Sequence, residues 1–421
     1  MRPAKPEATK RAMNAARETM RGLISCAGDA NATPAHANPD RMSAVRHAEF
    51  RLGAYYFAYF TYAGVLAPYF TLWLVAQGHG AADIALIMAM PQVARIFAPA
   101  AWGWIADRTG WRKGVVVIAA LAVFLGFASL SVVRGVAGTA AVMLLLSAFS
   151  SGSMPLIESA TLRATEGRAG RYGIVRLWGS VGFILAVLGA GWWLDRGAPS
   201  SILAMVVGLA FVVVLAALVV PVDGARRPGG RQGDLGRLLA RRDVQAFFAA
   251  CMCNAIAHGA LYTFFSLHAE NAGYSKTAIG ALWTLGVVAE IGVFLALPAL
   301  LRRYTLQRIL VATFACVALR FLLVAWAADD VLLLAFAQLL HAATFGAFHA
   351  ASIAAVHKLF PGPVEARGQA LYASLTGGLG GAAGTLLAGW AWSTLGAEAC
   401  FTAAAAFGVL GGLLVAWRVR V

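Results

Sequence analysis

Gly103-Trp-Ile-Ala-Asp107-Arg108-Thr-Gly110-Trp-Arg112-Lys113, GWIADRTGWRK, lies between two long apolar runs. Its composition assigns it to a tight connection between helices. Gly103 allows close helix approach and Gly110 a sharp turn. Asp107 is suited to cap or pair at a helix end. Arg108, Arg112 and Lys113 hold the loop on one side of a membrane.

The chain around this loop is too apolar for a soluble core. Of its 421 residues, 60% are hydrophobic and 13% charged, and its mean hydropathy is +0.72. A soluble domain is closer to half apolar and a quarter charged. Lipid must therefore solvate much of the surface. A helix needs roughly 20 apolar residues to cross the hydrocarbon. Twelve such runs follow Arg51, at about 52–76, 84–106, 114–133, 139–163, 173–194, 200–221, 243–269, 277–300, 306–327, 331–357, 367–392 and 397–417.

The net charge of +15 does not imply a nucleic-acid partner, because the basic residues sit in short loops between these runs. Loops after the even-numbered runs through run 10 hold 17 Lys and Arg residues, and the alternate loops hold only Arg134, Arg196 and Lys276. The positive-inside rule places both termini of this multi-pass membrane protein in the cytoplasm. The longest interior loop, 222–242, is polar, Gly-rich and basic. It divides the chain into an N-terminal six-helix half, 50–221, and a C-terminal half, 243–421. Residues 1–49 are polar and Ala/Arg-rich without an apolar h-region, so they read as a disordered basic tail and not a signal peptide. Met42 is a candidate alternative start.

The halves resemble one another. QGHGAADIALIMAMPQVARIF (77–97) aligns with AGYSKTAIGALWTLGVVAEIG (272–292) at an offset of 195. Arg95 then meets Glu290, and Asp107-Arg108 meets Arg302-Arg303.

Charges within apolar runs are costly and are candidate functional groups. At ~1.5 Å rise per residue, Arg95 and Glu290 fall near the midplane. Arg320 and His341 share a level in the outer half, and Glu158 and Arg176 share one near the cytoplasmic face. Such matched depths predict ion pairing, because an unpaired buried charge is strongly destabilising. Tyr55, Tyr59 and Tyr62 are spaced i, i+4, i+7 and form one aromatic stripe. His258 lies mid-run. The eight-residue steps from His341 to His349 to His357 do not build a metal face, and the five cysteines lack a ligand spacing. No metal or cofactor is expected. Pro68, Pro91, Pro99, Pro155 and Pro298 predict kinks. TGGLGGAAG (376–384) predicts a close-packing face.

The pattern G-x3-D-R-x-G-x-R-K after the second run resembles the loop signature of the major facilitator superfamily of secondary transporters. The resemblance implies an all-α fold of twelve helices in two pseudo-symmetric halves, a site near the midplane between them, and a monomer. It makes Gly103, Asp107, Arg108, Gly110 and Arg112 gating residues. Glu158, Arg176, Glu290, Arg320 and His341 resemble the charged set of the proton-coupled sugar symporters of that superfamily. The acid that follows the histidine in those proteins is replaced here by Ala342 to Phe345.

A closer resemblance, over about residues 50–415, is carried by VAR (93–95), YGIVRLWGSVGF (172–183), AGYSKTAIGALWTLGVVAE (272–290) and QLLHAATF (338–345). These strings are similar to the 3-phenylpropionate permease branch of bacterial proton symporters. That similarity implies import of a small aromatic carboxylate with a proton. A carboxylate suits an Arg fork, and an aromatic ring suits apolar and aromatic walls. The expected clamp is Arg95, Arg176 or Arg320, with the Tyr stripe as a wall. Glu290, Glu158 and His341 are the expected proton-coupling groups. A sugar or nucleoside symporter is the alternative, as is a drug/proton antiporter. The fifth run, RLWGSVGFILAVLGAGWW, lacks the proline-containing G-x-x-x-G-P-x-x-G-G pattern common in such antiporters. No nucleophile–base pair suggests an enzyme.

Overall fold

A computed structural model describes residues 39–165, 168–222 and 235–420. Among the described residues the regular structure is helical. The long helices are α1 Pro39–Ala76, α2 Ala81–Thr109, α3 Arg112–Ser129, α4 Gly135–Ala164, α5 Ala169–Leu194 and α6 Ser201–Val219. They continue as α7 Arg242–Asn271, α8 Lys276–Arg303, α9 Leu306–Trp326, α10 Val331–Leu359, α11 over 365–395 and α12 Ala397–Arg418. This is the expected all-α architecture of twelve helices. Eleven are long and apolar enough to span a bilayer by length and composition alone. The exception is α11, whose seven glycines between 365 and 395 dilute its hydropathy.

Helix α1 begins at Pro39, ahead of the tail boundary expected at residue 50. Residues 39–49 are helical, which corrects the reading of them as tail. Residues 1–38 of that tail, and 223–234 of the expected linker, lie outside the described residues. The rest of the linker holds a short helix, Leu235–Leu239.

The ends of the helices follow their sequence. Ser275 Oγ accepts from the Ala278 amide (3.1 Å), Thr305 Oγ1 from Arg308 (3.3 Å), and Asp330 from Leu332 and Leu333 (2.8 and 3.1 Å). These are N-caps that satisfy otherwise orphaned first-turn amides. Helix α2 stops at Gly110, whose φ of +70° suits a left-handed C-cap. Helix α4 breaks at Ser151–Gly152, four residues before Pro155, where the proline removes the bond to the Ser151 carbonyl. The outer surface is apolar, with Leu295 80% and Trp417 75% exposed, as lipid contact requires.

Helix α2 packs on α11, and α5 on α8. Glycines set these approaches, and Gly384 of α11 does the same against the backbone of α7. A Cβ there would overlap the carbonyl oxygen of Ile256 in α7, and one on Gly259 would overlap Gly384 in return. Because backbone is the obstacle, side-chain repacking gives no relief. Gly384→Val is expected to cost at least ~1–3 kcal/mol, read as a lower unfolding temperature in detergent.

The α2–α11 contact runs from Ala85 and Gly389 to Ile96, where Ser374 Oγ donates to the Ile96 carbonyl at 3.2 Å. Beyond it, toward the basic loops, Phe97 and Trp104 are exposed. Helices α5 and α8 meet at the other end, where Gly191 lies against Lys276 and Gly280 against Val187. Tyr69 of α1 donates to the carbonyl oxygens of Val187 (2.8 Å) and Lys276 (3.0 Å) at the same place. The bundle is thus closed on the face opposite the basic loops.

Candidate functional site

Helices α2, α7, α10 and α11 enclose a cavity of about 430 Å³. That volume lies within the ~300–1,000 Å³ of ordinary ligand sites. Gln92 and Arg95 enter it from α2, Asn254, His258 and Tyr262 from α7, Phe345, Phe348 and His349 from α10, and Gln369, Tyr372 and Thr376 from α11. Both α10 and α11 change to π-helix beside it, over Ala342–Ala347 and Ala373–Gly380. Such widened turns rotate the side chains that follow and occur often at functional sites. A wider groove of about 930 Å³ at the far ends of α7, α9 and α11 contains none of the expected site residues.

Arg95 projects into the cavity, held by Gln92, whose Oε1 accepts from Nη1 at 3.2 Å. No carboxylate pairs with it among the described residues, so the expected pairing with an acid does not form. Tyr262 lies within Coulombic range of Arg95, Glu290 and Arg320.

Glu158 and Arg176 form the pair that their depths suggest, Nη1 to Oε1 2.6 Å, with the guanidinium 5.9 Å from the centre of the Tyr56 ring. Both side chains are more than 40% exposed, so the pair is solvated and its bond is worth about 0–1 kcal/mol. It lies between α4 and α5 and does not line the cavity.

Glu290 turns toward α10 and sits 4.0 Å from His341 Nε2. Gly346 makes room for it, because a Cβ there would press on the Glu290 Cγ at 2.9 Å. His341 stacks on Phe345 (centroids 5.3 Å, planes 7° apart), and Phe345 stacks on His349 (6.3 Å, 11°). This aromatic column joins the Glu290–His341 pair to the cavity wall.

Arg320 departs from its expected role as a clamp. It is fully buried, donates to Thr344 Oγ1 and Gln338 Oε1 at 3.0 Å each, and does not line the cavity. It pairs with no acid among the described residues. Two neutral acceptors on α10 hold it, so it braces α9 against the helix that carries His341.

The Tyr stripe forms, with Tyr55 on Tyr59 and Tyr59 on Tyr62 at 6.3 and 6.2 Å. Tyr55 and Tyr62 are buried in the core against neighbours such as Phe127 and are not cavity wall, which corrects that expectation. Tyr59 is half-buried and within Coulombic range of Arg95. In the loop, Arg112 is buried and binds Asp107 at 2.9 Å, Arg108 lies over the Trp104 ring at 5.2 Å, and Gly103 is open. No cluster of metal-binding side chains occurs among the described residues.

Sequence reasoning gave no role to Asn254 or His258. The carbonyl oxygen of Asn254 lies 2.8 Å from His258 Nδ1, which fixes the proton there and leaves Nε2 a buried acceptor without a partner among the described residues. The partner is a backbone carbonyl, which any residue at position 254 would supply, so no side-chain spacing announced it.

The sequence model of the MFS_1 like family matches residues 50–403. The maltose permease of Geobacillus stearothermophilus is 30% identical over 381 residues, spanning 87% of this chain and 94% of that protein. The probable 3-phenylpropionic acid transporter of Escherichia coli (strain K12) is 30% identical over 351 residues, 81% of this chain and 90% of that one. A crystal structure of a mutant nucleoside transporter NupG superposes with a TM-score of 0.78 at 19% identity, over 88% of this chain and 100% of that one, and shares the fold. The twelve helices, the loop signature and a match over most of the length agree: this chain belongs to the MFS_1 like family and is a multi-pass membrane transporter of small molecules.

Proposed function

We propose that this protein is a proton symporter of the inner membrane that imports a small aromatic carboxylate by alternating access. The observation that carries the reading is Arg95. Its guanidinium faces a cavity walled by Tyr262, Phe345, Phe348, His349 and Tyr372, with no acid to neutralise it among the described residues. An unpaired cation among aromatic rings calls for an anion that carries a ring. Glu290 and His341 carry the proton, and the His341–Phe345–His349 column links them to the substrate. The basic loops face the cytoplasm, so the cavity opens inward, and the transporter works as a monomer with an N-terminal (50–221) and a C-terminal (243–421) half.

A second reading is a sugar symporter. The amides and hydroxyls of Gln92, Asn254, Gln369, Thr376 and Thr385 favour it, because they suit a polyol. One of the protein's relatives at 30% identity is a maltose permease. Uptake of labelled 3-phenylpropionate into proteoliposomes separates the two. Accumulation that depends on an inward proton gradient supports the carboxylate reading. Maltose accumulation without 3-phenylpropionate uptake replaces it with the sugar reading.

A further inference from the structure

On the closed face, one carboxylate joins the two halves of the chain. Asp195 follows the last residue of α5 and lies against the start of α8, 81 positions later. Its Oδ1 accepts from the Lys276 amide at 2.7 Å, and its Oδ2 accepts from the Thr277 amide at 3.1 Å and the Thr277 hydroxyl at 2.5 Å. With Ser275 capping Ala278, the first three amides of α8 are all satisfied, two of them by a residue from the other half of the chain. A helix N-terminus bears a partial positive charge and donors without intrahelical partners. A carboxylate there makes charge-assisted bonds, which are stronger than neutral ones. Separating α5 from α8 breaks all three at once and returns the α8 amides to water.

We infer that Asp195 is the latch of this closed face, a positioning residue whose bonds to the α8 N-terminus set how often that face opens during transport. The inference adds to the proposed transport cycle and needs no knowledge of the substrate. The surroundings make the latch a fixed charge. Lys276 faces it and is itself held by Glu270 at 2.8 Å, Tyr69 stands on the α1 side, and Arg196 turns away to the Trp192 carbonyl. Desolvation pushes the Asp195 carboxyl up, but the Thr277 and Lys276 hydrogen bonds outweigh it and hold the group below its ordinary value. A carboxylate whose value is depressed in the closed state stabilises that state above its ordinary value. The contribution is lost only as pH falls through the depressed value. Across pH 8 to 5 the latch therefore stays charged, and coupling to protons belongs elsewhere.

The test is a distance measurement on the full chain in lipid nanodiscs, without substrate. Native cysteines are replaced by alanine, and spin labels go on Ser200→Cys and Asn271→Cys, exposed positions on the two sides of the latch. The parent is expected to give mainly the short, closed distance, unchanged from pH 8 to 5. Asp195→Asn removes the charge and one acceptor, and is expected to raise the open-to-closed ratio about 10-fold, equivalent to ~1.4 kcal/mol. Thr277→Val should shift it less, and Thr277→Ser, which keeps the hydroxyl, should match the parent. An unchanged distribution in both Asp195→Asn and Thr277→Val overturns the latch. A parent that opens between pH 8 and 5 overturns its being a fixed charge. Failure of 3-phenylpropionate uptake would leave this measurement intact, so the two readings fall separately.

Discussion

Glu290→Gln is expected to abolish proton-driven accumulation while substrate exchange continues. Glutamine keeps the shape and polarity of the protonated acid but takes up no proton. The side chain is 18% exposed, and its nearest ionisable partner is His341 at 4.0 Å, which is charged only when protonated. No lysine or arginine forms an ion pair with Glu290 among the described residues. A carboxyl and an imidazole placed so can hold one proton between them and exchange it with whichever face the cavity meets. One pH unit of gradient is ~1.4 kcal/mol. One-to-one coupling of a proton with a monocarboxylate therefore allows about 10-fold accumulation. The Gln variant should fall to a ratio near one, with counterflow of labelled against unlabelled substrate retained. Loss of both activities together would make Glu290 a structural partner of His341. Full accumulation by the variant would remove it from the proton path.

The helices were legible because length and hydropathy alone decide what crosses a bilayer, and the cap residues Ser275, Thr305 and Asp330 mark their starts. The closeness of Glu158 and Arg176 was legible for a similar reason, since rise per residue fixes depth. Depth does not fix direction around the helix. Arg320 and His341 do share a level, yet Arg320 turns into α9–α10 packing toward Gln338 and Thr344, and Arg95 turns into the cavity. The π-helical turn at 342–347 shifts everything after it on α10 away from ideal α-helical positions. The i, i+4, i+8 spacing of His341, Phe345 and His349 was readable as neighbouring positions, but periodicity does not contain such a turn and does not say that the rings stack beside Glu290. The stripe of Tyr55, Tyr59 and Tyr62 was readable as a stripe, but which way it faces depends on the α1–α5 packing at Gly64 and Gly182. Asp195 was invisible for another reason. Two of its partners are backbone amides, which every residue carries, and the third, the Thr277 hydroxyl, lies 82 positions away, so no local side-chain pattern announces them.

Arg95→Ala carries the other large expected effect, and it bears on the substrate itself. A guanidinium fork makes two charge-assisted bonds to a carboxylate, at ~1.5–3 kcal/mol each. Arg95 is exposed to the open cavity, so water screens it and the net loss is smaller than that sum. A loss of ~2–3 kcal/mol corresponds to a roughly 30- to 150-fold weaker Kd. Arg95→Lys keeps the charge without the planar fork and should fall between the two. The Gln92 amide, which positions the guanidinium at 3.2 Å, makes Gln92→Ala a milder version of the same defect. Binding of 3-phenylpropionate to the purified variants checks the order. A neutral analogue, 3-phenylpropanol, should bind all of them with similar, weak affinity, because it never used the charge. If Arg95→Ala binds the acid as tightly as the parent, the cation does not meet the carboxylate. The amides and hydroxyls lining the cavity then become the determinants, and a sugar becomes the better substrate class.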